Sequence, residues 1–173
     1  MSVHEHKRAT PVSVACKVIT ISDTRTKETD KSGHLMISLL EEHGYRVLEY
    51  EIVKDEEPYI EKAVRLGYMN KEIDAILTNG GTGIAKRDVT IETISKLIDK
   101  EIVGFGELFR MLSYTEDIGS ASILSRAIAG VSNDTAIFST PGSSGAVKLA
   151  MNKLILPELA HVVSEIKKDI KKV

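Results

Sequence analysis

One cysteine, Cys16, is all the chain carries. No disulfide can close within it, which suits a reducing cytosol. Cys16 lies in an apolar run and reads as a small buried hydrophobe rather than a reactive thiol. Excess charge of either sign is missing as well: 23 Lys and Arg stand against 25 Asp and Glu, a formal charge of −2. That balance excludes the broad basic footprint of a nucleic-acid-binding surface and leaves room only for a local anion site. No apolar run is long enough to cross a bilayer, and the polar N-terminal residues lack the apolar centre of a secretory signal. A cytoplasmic protein with no membrane or nucleic-acid partner is expected. Internal repeats and low-complexity segments are also lacking.

What is present describes a globular chain. Its 173 residues are 42% hydrophobic and 28% charged, enough to bury a core without metal or disulfide support. Residues 1–13, polar with His4, His6 and Pro11, read as a flexible N-terminal arm, and residues 14–173 as one domain. His34, His43 and His161 are scattered over helix-like patterns, so no zinc or iron site is expected.

Val14 to Ile21, VACKVITI, is almost wholly apolar and rich in β-branched residues, the pattern of a strand covered on both faces. It stops at Ser22, Asp23 and Thr24. Leu35, Met36, Leu39 and Leu40 then recur at helical spacing up to Gly44, a C-terminal stop. Tyr45 to Val53 reads as a second strand, ending in Lys54, Asp55, Glu56 and Glu57 before Pro58, which suits the first turn of a helix. The three acids either favour the helix dipole or include one functional carboxylate. The helix from Pro58 to about Asn70 turns Ile60, Ala63, Val64 and Leu66 inward, and Ile73 to Leu77 is the third strand. Strands alternating with helices imply right-handed crossovers and a three-layer α/β/α sandwich with a mostly parallel sheet. The segments after all three strands then meet at one sheet edge, where open α/β sheets bind ligands.

Further on, Ile91, Ile94, Leu97 and Ile98 mark a helix. A break is expected at Gly104 and Gly106, and then Leu108, Phe109, Met111 and Leu112 resume the pattern. Phe105, Phe109 and Met111 are read as core. Glu107 is placed at a helix start where it could face the cleft. Ala121 to Ala127 reads as a short helical turn. AIAGV, SND and TAIFST form a hairpin-like addition to the sheet. The last helix, from about Ala146, carries Pro157, which should kink or break it. The closing KKDIKKV reads as a solvated helix end.

The stretch around which these elements are organised is AILTNGGTGIAKRDVTIE, Ala75 to Glu92. It reads as strand, glycine loop, helix, with Gly80, Gly81 and Gly83 allowing close approach to backbone N–H groups, a natural phosphate site. It matches neither of the two familiar phosphate loops. The third small position of a dinucleotide fingerprint falls on Lys86, and the nucleoside-triphosphate loop needs glycine at Ala85 and Ser or Thr at Arg87. Asp88 belongs to neither scheme; a carboxylate beside a phosphate cradle points to a magnesium ion between them. A second glycine and serine loop, Pro141 to Gly145, also lies between strand and helix and is a second candidate anion cradle.

Four separated motifs, NGGTGIAKRDVTIET, GFGELFRMLS, LSRAIAG and TPGSSGAV, together resemble the MoaB/MogA family of molybdenum cofactor biosynthesis proteins, most closely its MoaB branch, from about Val14 to Leu159. The resemblance implies the molybdopterin-binding fold, a homotrimer or homohexamer, and, in active members, adenylylation of molybdopterin by Mg-ATP, with the product passing to a separate metal-insertion protein. Carried onto this sequence, it makes Asp55 and Asp88 the two functional aspartates, holding magnesium. It places Gly80, Gly81, Thr82 and Gly83 in the nucleotide and phosphate site and implicates Ser22, Asp23, Glu107, Pro141, Gly142 and Ser143 in the cleft. Lys86 or Arg87 would oppose phosphate charge. Which loop holds pterin and which nucleotide stays open. The second reading is a non-catalytic molybdopterin-binding or scaffolding oligomer.

Overall fold

A computed structural model describes residues 13–170; most of the expected N-terminal arm and the last three residues lie outside them. Six strands form one mixed sheet. They are β1 (Ala15–Ile21), β2 (Arg46–Val53), β3 (Ala75–Asn79), β4 (Lys100–Glu101), β5 (Ile128–Ser132) and β6 (Thr135–Thr140), in the order β2-β1-β3-β6-β5-β4. β2, β1, β3 and β6 are mutually parallel, and β5 runs antiparallel to both β6 and β4.

The period of two in β1 decides what each face covers. Cys16 and Val18 pack with Met36 and Leu40 of α1 (Lys31–Glu42) and with the C-terminal helices. Ile19 and Ile21 point the other way, against Ile60, Ala63 and Val64 of α2 (Glu57–Met69) and Ile94 of α3 (Thr90–Leu97). Each fully buried isoleucine stabilises by about 2 kcal/mol. Lys17 is also buried: its stem packs beneath Gly67 while Nζ reaches Glu49 at 3.0 Å and Glu51 at 2.7 Å. Burial pushes the Cys16 thiol up to about 12, aided by the nearby charge of Asp74, so it stays protonated at neutral pH.

Several boundaries follow from details of the chain. Gly44 adopts φ +79° just past α1, as its place after the last apolar residue predicts. Pro58 sits in the first turn of α2, where its missing N–H costs nothing. The expected break at Gly104 and Gly106 falls earlier, at Ile98 and the two-residue β4, and both glycines lie inside α4 (Val103–Glu116). Gly106 is there because a Cβ would press on the Ala127 carbonyl at 2.8 Å, so it marks a close approach rather than an end. Phe105 and Phe109 are core, but Met111 is 52% exposed, and Leu66, expected inward, is 51% exposed. The third strand starts at Ala75, two residues later than expected.

The hairpin of β5 and β6 turns on Asn133 and Asp134, both at positive φ, as a tight two-residue turn requires. It is more than an addition at the edge, because β6 inserts beside β3 and puts its own following loop next to the glycine loop. Pro157 does not break the last helix. α5 (Ser144–Ala150) passes through one π-helical turn, Met151–Ile155, into α6 (Leu156–Lys167), and Pro157 falls in the first turn of α6. The wider turn accommodates a ring that would otherwise clash with the preceding carbonyl.

Candidate active site

The strand order reverses between β1 and β3, because β1 leads outward to β2 while β3 lies on its other side. Loops leaving the carboxyl ends of β1, β3 and β6 converge there on a cavity of about 510 Å³. Ser22, Gly80, Gly81, Thr82, Gly83, Asp88, Pro141 and Gly142, all expected from the sequence, line it.

Each loop is pinned locally. The Ser22 hydroxyl accepts the N–H groups of Thr24 and Arg25, both at 3.2 Å, turning the chain sharply after β1. Gly80 donates its N–H to the Thr140 carbonyl at 3.1 Å, tying the β3 loop to β6. Gly80 and Gly81 stand at φ +102° and +63°. The glycine loop closes on itself: Thr90 donates to the Gly81 carbonyl at 3.1 Å, and Ala85 donates to Asp88 Oδ2 at 2.9 Å. Arg126 stitches this loop from outside, donating to the carbonyls of Thr82 at 3.0 Å and Gly83 at 2.6 Å and pairing with Glu92.

Asp55, just past β2, packs against Gly81 and, like Asp23, is not among the residues that line the cavity. Its backbone N–H donates to Asp23 Oδ1 at 3.1 Å, and Asp23 also pairs with Arg87. Asp55 Oδ1 and the Thr90 hydroxyl are buried without a hydrogen-bond partner. Both crowd the point where a Cβ of Gly81 would stand, Asp55 Oδ1 at 2.7 Å and Thr90 Oγ1 closer still. Burial raises the Asp55 carboxyl above its ordinary range, and the negative charge of Asp88 raises it further. Two carboxylates that repel each other, with an orphaned oxygen on one and an orphaned hydroxyl beside it, form a donor set that fits a hard divalent cation.

Other expected residues stand apart from the cavity wall. Lys86 and Arg87 are exposed in the glycine loop, Arg87 engaged by Asp23. Ser143 uses its hydroxyl to cap α5, accepting the Ala146 N–H at 3.1 Å, so the second loop presents Pro141 and Gly142 instead. Glu107 is exposed on α4 and does not line the cavity. Among the described residues no three His, Cys, Asp or Glu side chains converge as a metal cluster.

The family model described as "Probable molybdopterin binding domain" matches residues 17–161. Molybdenum cofactor biosynthesis protein B of Bacillus subtilis (strain 168) is 69% identical over 169 residues, 98% of this chain and 99% of its own. The chain belongs to the MoaB/MogA family of molybdenum cofactor biosynthesis proteins. A solved Molybdenum cofactor biosynthesis protein B superposes on this MoaB/MogA chain with a TM-score of 0.90 at 63% identity, over 92% of this chain and 99% of that one. The tungsten cofactor synthesizing protein MoaB from Pyrococcus furiosus does so with a TM-score of 0.79 at 38% identity, over 91% and 99%. The three-layer fold and the role in molybdenum cofactor biosynthesis follow from these likenesses. Among the described residues no helix is long and apolar enough to cross a membrane.

Sequence reasoning gave no role to three residues at or beside this candidate site, of which Arg25 and Arg126 line the cavity and Thr90 does not. Arg126 lay within the LSRAIAG motif without a role, Thr90 within KRDVT, and Arg25 in the polar loop after β1. Arg25 lines the cavity, with Nη2 donating to the Gly142 carbonyl at 2.7 Å and Nη1 contacting the buried Ser32, Asp30 and Asn79 behind it. Asp30, fully buried, caps α1 by accepting the Gly33 N–H at 3.0 Å and accepts from the Tyr50 hydroxyl at 2.6 Å. Burial alone would raise its carboxyl. Hydrogen bonds from Thr20, Tyr50 and Gly33 and the charge of Arg25 outweigh that and hold it below its ordinary value. A lowered folded-state value contributes stability above the unfolded value, about 3.9, which is lost as pH falls through the lowered one. Asp30→Asn should therefore destabilise the protein at pH 7, with the gap to the parent narrowing towards pH 2. Urea denaturation at both pH values checks this; a gap that stays constant contradicts it.

Proposed function

We propose that this chain transfers the adenylyl group of ATP to the terminal phosphate of molybdopterin. The observation that carries the reading is the orphaned pair, Asp55 Oδ1 and Thr90 Oγ1, beside Gly81 and within the electrostatic reach of Asp88. In the reaction an oxygen of the pterin phosphate attacks the α-phosphorus of ATP. The bond from that phosphorus to the bridging oxygen breaks, and pyrophosphate leaves. Two anions must be brought together and more charge spread in the transition state, so positioning and electrostatics do most of the catalysis.

Asp55 and Asp88 would hold a magnesium ion, which supplies positive charge against the phosphate oxygens and fixes their orientation. The backbone of Gly81, Thr82 and Gly83 forms the wall against which phosphates lie, and glycine there keeps that approach free of side chains. Arg126 fixes the loop's shape through its carbonyls and is itself held by Glu92. Arg87, paired with Asp23, ties the far end of the glycine loop to the β1 loop. The cavity opens to apolar side chains at Ile118 and Leu124, a surface suited to the flat pterin ring. The pathway's metal insertion falls to a separate protein, and the working form is a homo-oligomer.

Asp88→Ala is the direct test. Incubated with molybdopterin and Mg-ATP, the parent should form adenylylated pterin, and the variant should do so on the order of 10²-fold more slowly or worse. Near-parental product from the variant would overturn the assignment. Pterin binding without product in the parent would favour the scaffolding role.

A further inference from the structure

Arg25 is held as though for a second task. Its guanidinium has five N–H donors. Among the described residues its side-chain acceptors are Gly142, Ser32, Asp30 and Asn79, and all of them are met by Nη1 and Nη2. Nη1 serves three of the four, and Nη2 spends one donor on the Gly142 carbonyl. Nε donates to none of them, and Nη2 has a second hydrogen to give. Nε and an Nη nitrogen are the pair that meets a phosphate or carboxylate side by side.

The surroundings place Arg25 at the cavity. Arg25 lines it between Gly80 and Gly142, and a Cβ on Gly142 would stand 3.0 Å from the Gly80 Cα and 3.5 Å from Arg25 Nη1. The two loops therefore meet at this side chain. Its other side is anchored in fully buried groups: Asp30 accepts from Tyr50 and Gly33, Ser32 donates to Asn79 Oδ1 at 2.8 Å, and Asn79 donates to Thr20 Oγ1 at 2.9 Å. A side chain with about a third of its surface exposed is thus fixed before any ligand arrives. Fixing costs entropy at folding rather than at binding. The cations expected from the sequence do not match this, since Lys86 and Arg87 are exposed and Arg87 is taken by Asp23.

We infer that Arg25 receives a phosphate group of the substrate through its unspent N–H donors, at the junction of the glycine loop and the Pro141–Gly142 turn. The inference deepens the adenylyl-transfer reading and names the phosphate-bearing end of a substrate as what this side chain binds. Arg25 is a binding residue here, and its bond to Gly142 keeps the receiving edge in register.

Inorganic pyrophosphate is the probe. Removing the fork alone is Arg25→Lys, which keeps a cation beside Asp30. Because even that change could disturb folding, the double variant Arg25→Gln with Asp30→Asn removes both charges together and leaves no buried carboxylate unpaired. Calorimetric titration should show pyrophosphate binding weakened about tenfold or more in both variants. In the ¹⁵N-labelled parent, the Arg Nε–H resonance that is missing from Arg25→Lys should shift on adding pyrophosphate, a response that a purely structural clamp would not give. Parental affinity in a folded variant, or an Nε–H resonance unmoved at saturation, overturns the inference; so does a parent that binds no pyrophosphate. If the parent binds pyrophosphate through Arg25 yet forms no adenylylated pterin, the phosphate seat stands and the transferase reading fails. If product forms while Arg25→Lys binds as the parent does, the reverse holds.

Discussion

Asp55→Asn is expected to cut adenylyl transfer on the order of 10²-fold or more while leaving the protein at least as stable as the parent at pH 7. The two halves have one cause. Asp55 is raised by burial first and then by the charge of Asp88, and its Oδ1 has no hydrogen-bond partner. A carboxylate whose folded-state value lies above its unfolded value costs stability when ionised. That cost is absent below the unfolded value, about 3.9, and complete above the raised one. Asparagine carries no such charge, so the variant should melt at or above the parent at pH 7, and the advantage should vanish below pH 4. The same substitution removes a ligand of the proposed cation. A trade of stability for activity is the mark of a site held ready for something positive. Differential scanning calorimetry at pH 7 and pH 3.5, with the chromatographic assay alongside, checks both halves. A variant that loses stability at pH 7 would show that Asp55 serves the fold.

Gly80→Ala should have the largest effect on the fold. Gly80 stands at φ +102°, where a side chain is strained, and a Cβ would be driven into the Ile21 carbonyl oxygen, with the Ile21 carbonyl carbon at 3.2 Å. That atom is backbone at the end of the interior strand β1, so no rotamer change relieves the clash. Either β1 and β3 part at their carboxyl ends or Gly80 turns and loses its bond to Thr140. The expected cost is about 3 kcal/mol or more, a fall in melting temperature of about 10 °C for a chain of this size. Gly104→Ala is the internal control. Gly104 sits inside α4 with nothing within 4 Å of its Cβ position, and alanine there should stabilise by about 0.5–1 kcal/mol. Equal melting temperatures for Gly80→Ala and the parent would contradict the packing argument.

The difference between these two glycines also shows what was legible in the sequence. Gly80 stood between an apolar strand and a cluster of Thr, Lys, Arg and Asp, and that neighbourhood marked it. Gly104 and Gly106 stood in an apolar helical pattern and read as a break, because only the Ala127 carbonyl, packed from elsewhere, explains the second of them. VACKVITI was readable as a buried strand since both its faces are covered, and the alternation that followed it gave the layers. The central place of β6 was not readable, because a hairpin pattern is the same at an edge as in the middle of a sheet. Nor was the continuity of the last helix through its π-helical turn, which depends on a backbone adjustment that Pro157 does not announce.

In the cavity, Asp88 and the glycines were marked by their own neighbours, and family likeness picked Asp55 out of three adjacent acids. Arg25 carried no such mark. In SDTRTKETD it is one charge among several, and what sets it apart are partners 54 and 117 positions away, Asn79 and Gly142. Thr90 begins α3, and its unpartnered hydroxyl appears only when Gly81 and Asp55 are folded against it.

The most direct measurement follows the α-phosphate of ATP. Parent protein incubated with molybdopterin, magnesium and ATP labelled at the α-phosphorus should move the label onto the pterin, releasing one pyrophosphate for each pterin labelled. Pterin bound by the protein with the label left in ATP would contradict adenylyl transfer and leave this cavity as a binding site alone.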